Sequence, residues 1–325
     1  MGGAMKFIIT LLITLFVFIA GCSTEKNTSF SSADLKYLAL LPQDARVVGA
    51  INFNRIRDAE IYKLFKKYAD NTPFESQDYR MFVDRTGFNL ETDLKNLYFA
   101  GTGLENVHQN RGLFIATGSF RPERITAFIE SENKPPEKLS VETEGQYKVY
   151  RVPGENLTFC FPDSQTLIGG KDSLVNATLE KLTTANQLSN YLETALYPIR
   201  YKSDSWIWMN TEKFLASLPS SELGTRIKSL KAVRSGQMSV SVAEDIKFNG
   251  ICTCNDEENA GNIKDMVKGA IAAAKLTYSD DREAINILNT INVTVRGNRV
   301  EVAFDMSYND VEYLLRKKGL IASAF

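Results

Sequence analysis

The chain has 325 residues, 24% of them charged, with a formal net charge of −1 and a single histidine. That balance offers no basic field to hold nucleic acid and no polybasic stretch to hold anionic lipid. One histidine and 4 cysteines also exclude a multi-histidine metal site and a densely disulfide-stapled scaffold.

Lys6 precedes an apolar stretch from Phe7 to Ala20, interrupted only by Thr10 and Thr14. A run of about 14 residues is short of the roughly 20 needed to span a bilayer, but matches the apolar region of a signal peptide. It ends in Ile19-Ala20-Gly21-Cys22, which resembles the lipobox of bacterial lipoproteins. The resemblance implies that residues 1–21 are a leader cut between Gly21 and Cys22. It also implies that the Cys22 thiol is diacylated and the new amino group acylated, with palmitate-like chains. One acyl chain binds a bilayer marginally, at about 0.8 kcal/mol per buried methylene, whereas three hold it effectively permanently. Ser23 after the cysteine, rather than Asp, implies by the same resemblance an outer-membrane destination. Residues 22–32 are polar and aperiodic, a tether that holds the body roughly 15–20 Å from the lipid.

Beyond the tether the chain reads as two passes through one plan. In the first, residues 33–185, a short helix from Ser32 to Leu41 leads through Pro42-Gln43-Asp44 into a strand, Arg46 to Phe53. A helix from Asn54 carries Ile56, Ile61, Leu64, Phe65 and Tyr68 at helical spacing, and another ends at Gly87, where a C-cap glycine belongs. Strands Asn96 to Thr102 and Gly112 to Phe120 precede a helix opening near Pro122. Three short strands follow, Gln146 to Val152, Leu157 to Phe161 and Thr166 to Gly169, before a helix capped by Asp172.

In the second pass, residues 186–325, Ser205 to Asn210 is a strand, with helices through Phe214 and near Leu223 to Leu230. A hairpin turns at Glu244-Asp245, and a long helix runs from Glu258 to Leu276. A second hairpin crosses Arg296-Gly297-Asn298, and a helix from Asn309 to Lys318 closes the chain. The fold class is therefore α+β: mainly antiparallel sheet with helices packed on one face, in two similar halves read as a duplication. One sheet shared by both halves and two separate domains fit this order equally.

The order of certain segments carries a further resemblance. Leu41-Pro42-Gln43-Asp44-Ala45, Thr86-Gly87-Phe88-Asn89-Leu90, Tyr147-Lys148-Val149-Tyr150-Arg151 and Phe161-Pro162-Asp163 through Gly169-Gly170 are its elements. Together they are similar to an uncharacterised family of bacterial exported proteins and lipoproteins of duplicated α/β build, matching the first half better than the second. The resemblance implies an exported α+β body and brings no activity, cofactor or catalytic residue with it.

Motifs that carry chemistry are sparse. His108 sits in a polar stretch without triad or ligand spacing, and reads as a solvated loop residue. Gly101-Thr102-Gly103 lacks the third glycine of a dinucleotide loop. Gly169-Gly170-Lys171-Asp172-Ser173 places an acid where a phosphate would sit, so turn and helix cap explain it. Asn255-Asp256-Glu257-Glu258 and Asp280-Asp281-Arg282-Glu283 read as acidic helix starts. Cys160, Cys252 and Cys254 read as buried free thiols, with a bridge from Cys160 as the alternative. Trp206 and Trp208 share one face of a strand. They read first as core and second as a groove wall for an apolar or glycan ligand.

The sequence therefore predicts a lipid-anchored bacterial envelope protein, its body at the periplasmic or outer surface of the membrane. Non-catalytic binding or scaffolding is the expected role, with an envelope protein as partner. A carrier or sensor of an apolar or glycan ligand is the alternative, and an envelope-polymer hydrolase the third reading. No catalytic residue, metal or cofactor is assigned, and the membrane is reached through the N-terminal lipid, with no nucleic-acid partner.

Overall fold

The architecture is that of a computed structural model, which describes residues 30–68, 76–102, 112–132, 139–152, 156–184, 187–197, 199, 203–215 and 231–317. Gly21, Cys22, His108 and the helix expected near Leu223 to Leu230 lie outside these residues. Among the described residues no helix is long and apolar enough to cross a membrane.

The first elements follow the local chemistry closely. Helix α1 (Ser32–Leu40) is capped by Ser31, whose hydroxyl accepts the Asp34 N–H at 3.1 Å. Strand β1 (Val47–Asn52) passes into α2 (Phe53–Asp58) and α3 (Glu60–Tyr68). The sequence suggested one helix here. The chain breaks at Ala59, which is extended, and the break turns Ile61 and Leu64 inward. Helix α4 (Gln77–Thr86) ends at Gly87 with φ 67°, the left-handed cap that glycine adopts without steric cost. A single turn, α5 (Leu90–Asp93), leads into β2 (Leu94–Gly101), then β3 (Gly112–Gly118) and α6 (Pro122–Glu132).

Next come β4 (Ser140–Glu144), β5 (Tyr147–Val152), β6 (Leu157–Asp163) and β7 (Thr166–Gly170), with α7 (Asp172–Lys181) and α8 (Asn190–Leu196) behind them. The central strand β8 (Ser205–Met209) is followed by α9 (Thr211–Leu215) and the hairpin β9 (Val233–Val242) and β10 (Ile246–Cys254). Helices α10 (Glu257–Thr277) and α11 (Arg282–Asn289), strands β11 (Asn292–Arg296) and β12 (Arg299–Met306), and α12 (Tyr308–Arg316) complete the described chain. Asp256 and Asp281 cap α10 and α11 as the acidic runs implied, and Ser307 and Asp310 form a capping box on α12.

The strands form one sheet of 12, in the order β11-β12-β10-β9-β8-β1-β2-β3-β7-β6-β5-β4, with every pair antiparallel. The α+β class is therefore as the sequence suggested. The segments 33–185 and 186–325 share this sheet, joined where β1 pairs with β8 and Val48 faces Trp208. Outward from that joint the order is β1-β2-β3-β7-β6 on one side and β8-β9-β10-β12-β11 on the other.

Alternation along the strands assigns the two faces. Val48, Ala50, Tyr98, Ala100, Leu113, Ile115, Ile168, Cys160, Trp206 and Trp208 all enter one buried cluster with residues of α1, α7 and α8. The opposite face is covered in two patches. Ala116, Leu97 and Leu167 pack with α4 and α6, and Val293, Val300 and Val302 pack with α10. Helical cover is thus divided between the faces, because β2, β3 and β7 bring apolar residues to both. A third cluster seats α3 against α12 through Ile61, Leu64 and Val311.

Candidate functional site

On that second face, further along the same strands from Leu97, Ala116 and Leu167, lies a stretch built differently. Phe99 and Phe114 oppose each other across β2 and β3, while their outer neighbours Gly49 and Gly169 have no side chain. A Cβ on Gly49 would strike the Phe99 ring, and one on Gly169 would strike the Phe114 ring. The two rings therefore lie outward over the glycines, away from the β2–β3 seam. One step along the same face, Gly101 pairs with Gly112, so the floor beside the rings is backbone only. Neither Phe99 nor Phe114 belongs to any of the buried clusters, and both are half-buried.

The result is a cleft of about 380 Å³, walled by Phe99, Phe114, Val47, Leu157 and Phe214 of α9, with Arg46 among its lining residues. That volume sits near the lower end of the ~300–1,000 Å³ common to small-ligand pockets. Gly170 keeps β7 close to it: a Cβ there would meet the Gly112 carbonyl oxygen. Gly101 is the exception, because a Cβ there meets nothing nearer than the Val47 Cβ at 3.9 Å. Space above Gly101 belongs to the cleft. Of the described lining residues only Arg46 is charged, and none is a nucleophile or a general base.

No protein-family model matches the chain, and no curated protein matches it. Among solved structures it is similar to three crystal forms of TP0453, a Treponema protein. Their TM-scores are 0.49, 0.45 and 0.45 at 12%, 14% and 12% identity. The alignments cover 86%, 86% and 89% of this chain and 96%, 94% and 98% of theirs.

The structure places the residues singled out by sequence away from this cleft. Trp206 and Trp208 are 7% and 5% exposed, inside the main cluster on the covered face. Phe30 packs on Trp206 at 5.5 Å between ring centroids, and Tyr191 of α8 meets Trp208 edge-on at 5.8 Å. Their contacts are packing contacts. Cys160 lies buried in the same cluster, where desolvation pushes its thiol up to about 12. Cys252 and Cys254 belong to the other face, packed with α10, and all three thiols are free. The Cys252 thiol donates to the Cys254 sulfur, and that bond with burial holds Cys252 protonated. Cys160 and Cys252 are therefore structural cysteines rather than reactive ones.

Asp172 corrects an expectation. The cap of α7 is Lys171, without a side-chain bond, and Asp172 is the first helical residue. Its carboxylate accepts from Arg151 Nε at 2.7 Å and from Thr158 Oγ1 at 3.3 Å. Arg151 also reaches Glu142 at 2.6 Å and Glu144 at 3.5 Å, tying β4, β5 and α7 together. The Asp172 carboxylate thus serves a charge-assisted bond to the guanidinium rather than a helix cap.

At the joint of the sheet, Asp204 is 6% exposed. It accepts the Val242 N–H at 2.6 Å, and Arg55 lies 3.9 Å away. Desolvation raises its pKa, partly offset by that hydrogen bond and by Arg55. It fastens the chain ahead of β8 to the end of β9, a structural duty at the opposite end of β1 from the cleft.

The cleft residues escaped sequence reading because each is unremarkable alone. The available signal was glycine inside apolar strands, at Gly49, Gly101, Gly112 and Gly169. In a strand, glycine marks space or close approach.

Proposed function

We propose that this chain is a lipid-anchored bacterial envelope protein whose body is a non-catalytic binding module for a small apolar ligand. The observation that carries this reading is the cleft of about 380 Å³ on the sheet, walled by three phenylalanines over a glycine floor. Apolar walls of this kind reward removal of apolar surface from water, at roughly 25 cal/mol per Å². With no nucleophile or general base among the described lining residues, the site suits uptake rather than turnover.

The leader and Cys22 support the anchored half of the proposal, with outer-membrane attachment following from Ser23. An anchored carrier works beside its source, since the membrane is the reservoir of apolar molecules. The repeated strand order about the β1–β8 joint supports descent of the body from two related halves, only one of which carries the cleft.

Two experiments test the two parts. Palmitate labelling in the native host, lost in Cys22→Ala, tests the anchor; equal labelling of both would end it. For the cleft, N-phenylnaphthylamine fluorescence should rise on titration with the protein. Gly101→Leu, whose side chain occupies the cleft, should weaken that binding at least tenfold. Unchanged binding in Gly101→Leu would remove the cleft from the reading.

A further inference from the structure

Two guanidiniums beside the sheet are engaged. Arg151 engages three carboxylates, and Arg57 donates to the Glu91 and Leu94 carbonyls at 2.6 and 2.8 Å. Arg46 differs. Its main chain is pinned on both sides, the N–H donating to the Gly101 carbonyl at 2.8 Å and the C=O accepting from Asn210 at 2.7 Å. Its guanidinium makes no hydrogen bond or ion pair with any described residue, and it is partly exposed. It is nevertheless the one charged group among the described residues that line the cleft.

We propose that the ligand is a single-chain fatty acid, its carboxylate held by Arg46 and its chain lying against Phe99, Phe114 and Phe214. This rests on the reading of the cleft as an apolar ligand site. A planar guanidinium matches a carboxylate in a two-pronged hydrogen bond, and apolar walls beside it strengthen the pair by excluding water. The fixed main chain of Arg46 means that only side-chain freedom is lost when the pair forms. A cleft near the lower end of the usual pocket range accommodates one alkyl chain rather than the two of a diacyl lipid.

The test uses the full chain loaded with N-phenylnaphthylamine and displaced by dodecanoate, dodecyl phosphate, dodecanol or dodecyltrimethylammonium. Dodecanoate is expected to displace the probe at about tenfold lower concentration than dodecanol, the size of one charge-assisted hydrogen bond. The trimethylammonium compound should be the weakest. Arg46→Gln should erase the preference for dodecanoate while leaving dodecanol unchanged, a readout that a misfolded variant would not give. Equal displacement by dodecanoate and dodecanol, or a preference surviving in Arg46→Gln, overturns the carboxylate assignment but leaves the apolar site standing. Stronger displacement by dodecyl phosphate than by dodecanoate overturns it in favour of a phosphate head. If no alkyl compound displaces the probe, the cleft is not a ligand site and both readings fall.

Discussion

Strands β1, β2 and β3 present two opposite faces, and their fates diverge. On one face Val48, Ala50, Tyr98, Ala100, Leu113 and Ile115 are sealed beneath α1, α7 and α8 with Trp206 and Trp208 alongside. On the other, one residue out of phase, Gly49, Phe99, Gly101, Gly112 and Phe114 leave a cleft. The same backbone therefore carries a filled face and an unfilled one at once, with the period of two as the only separator. The lesson is that size alternation matters as much as polarity. Both faces are apolar, but only the covered one uses side chains that fill their space.

The largest effect expected from this contrast is on stability. Trp208→Ala should cost about 3–5 kcal/mol in denaturant unfolding, as for other large buried aromatics. Phe99→Ala, across the same sheet but half-buried, should cost less than about 2 kcal/mol. Equal costs would mean that Phe99 is as much a part of the core as Trp208, and the contrast would fail. Next in size is the converse pair of readouts for Gly101→Leu. Stability should change by less than about 1 kcal/mol, because a Cβ there meets only ordinary contact. Binding, by contrast, should fall at least tenfold.

Two carboxylates sharpen the contrast between covered and open positions through pH. Asp281 accepts from Lys317 Nζ at 2.6 Å, the Tyr313 hydroxyl and the Ala284 N–H, which depress its pKa to about 2. Its folded-state pKa is below the ordinary value of about 3.9. The stability it contributes is therefore present above that value and lost as pH falls toward 2. Asp281→Asn should flatten the acid limb of a stability–pH curve, measured by denaturant midpoints. Asp204 has the opposite sign, since burial raises its pKa. Its cost is absent at pH below the ordinary carboxylate pKa and grows as pH rises through the folded value. Asp204→Asn keeps an acceptor for the Val242 N–H, so it should gain stability at neutral pH relative to acid. Losing stability equally at both would show that the charge itself is needed.

Much of the fold was legible because its signals are local. Asp256 and Asp281 cap helices by accepting nearby N–H groups, and Gly87 closes one by its backbone alone. The turns at Glu244-Asp245 and Gly297 set their hairpins for the same reason. Edge strand β4 was missed, because Ser140–Glu144 is mostly exposed and lacks apolar alternation; its acids guard the edge. Helix α8 was also missed, although Leu192 and Leu196 are almost wholly buried, since 7 residues are too few to show a period. The choice between one sheet and two depended on the β1–β8 pairing, a contact between residues about 160 apart in sequence that no local pattern encodes. The cleft was hidden for the same reason. Gly101 and Gly112 mean little until β2 and β3 bring them into register.

The most direct test of the cleft as a ligand site is photo-crosslinking with a dodecanoate that carries a diazirine on its chain, followed by peptide mapping of the intact protein. Label is expected on peptides containing Phe99, Phe114 and Phe214, and should be competed away by unlabelled dodecanoate. Label confined instead to exposed apolar side chains such as Met266 and Leu276, or insensitive to competitor, would contradict it.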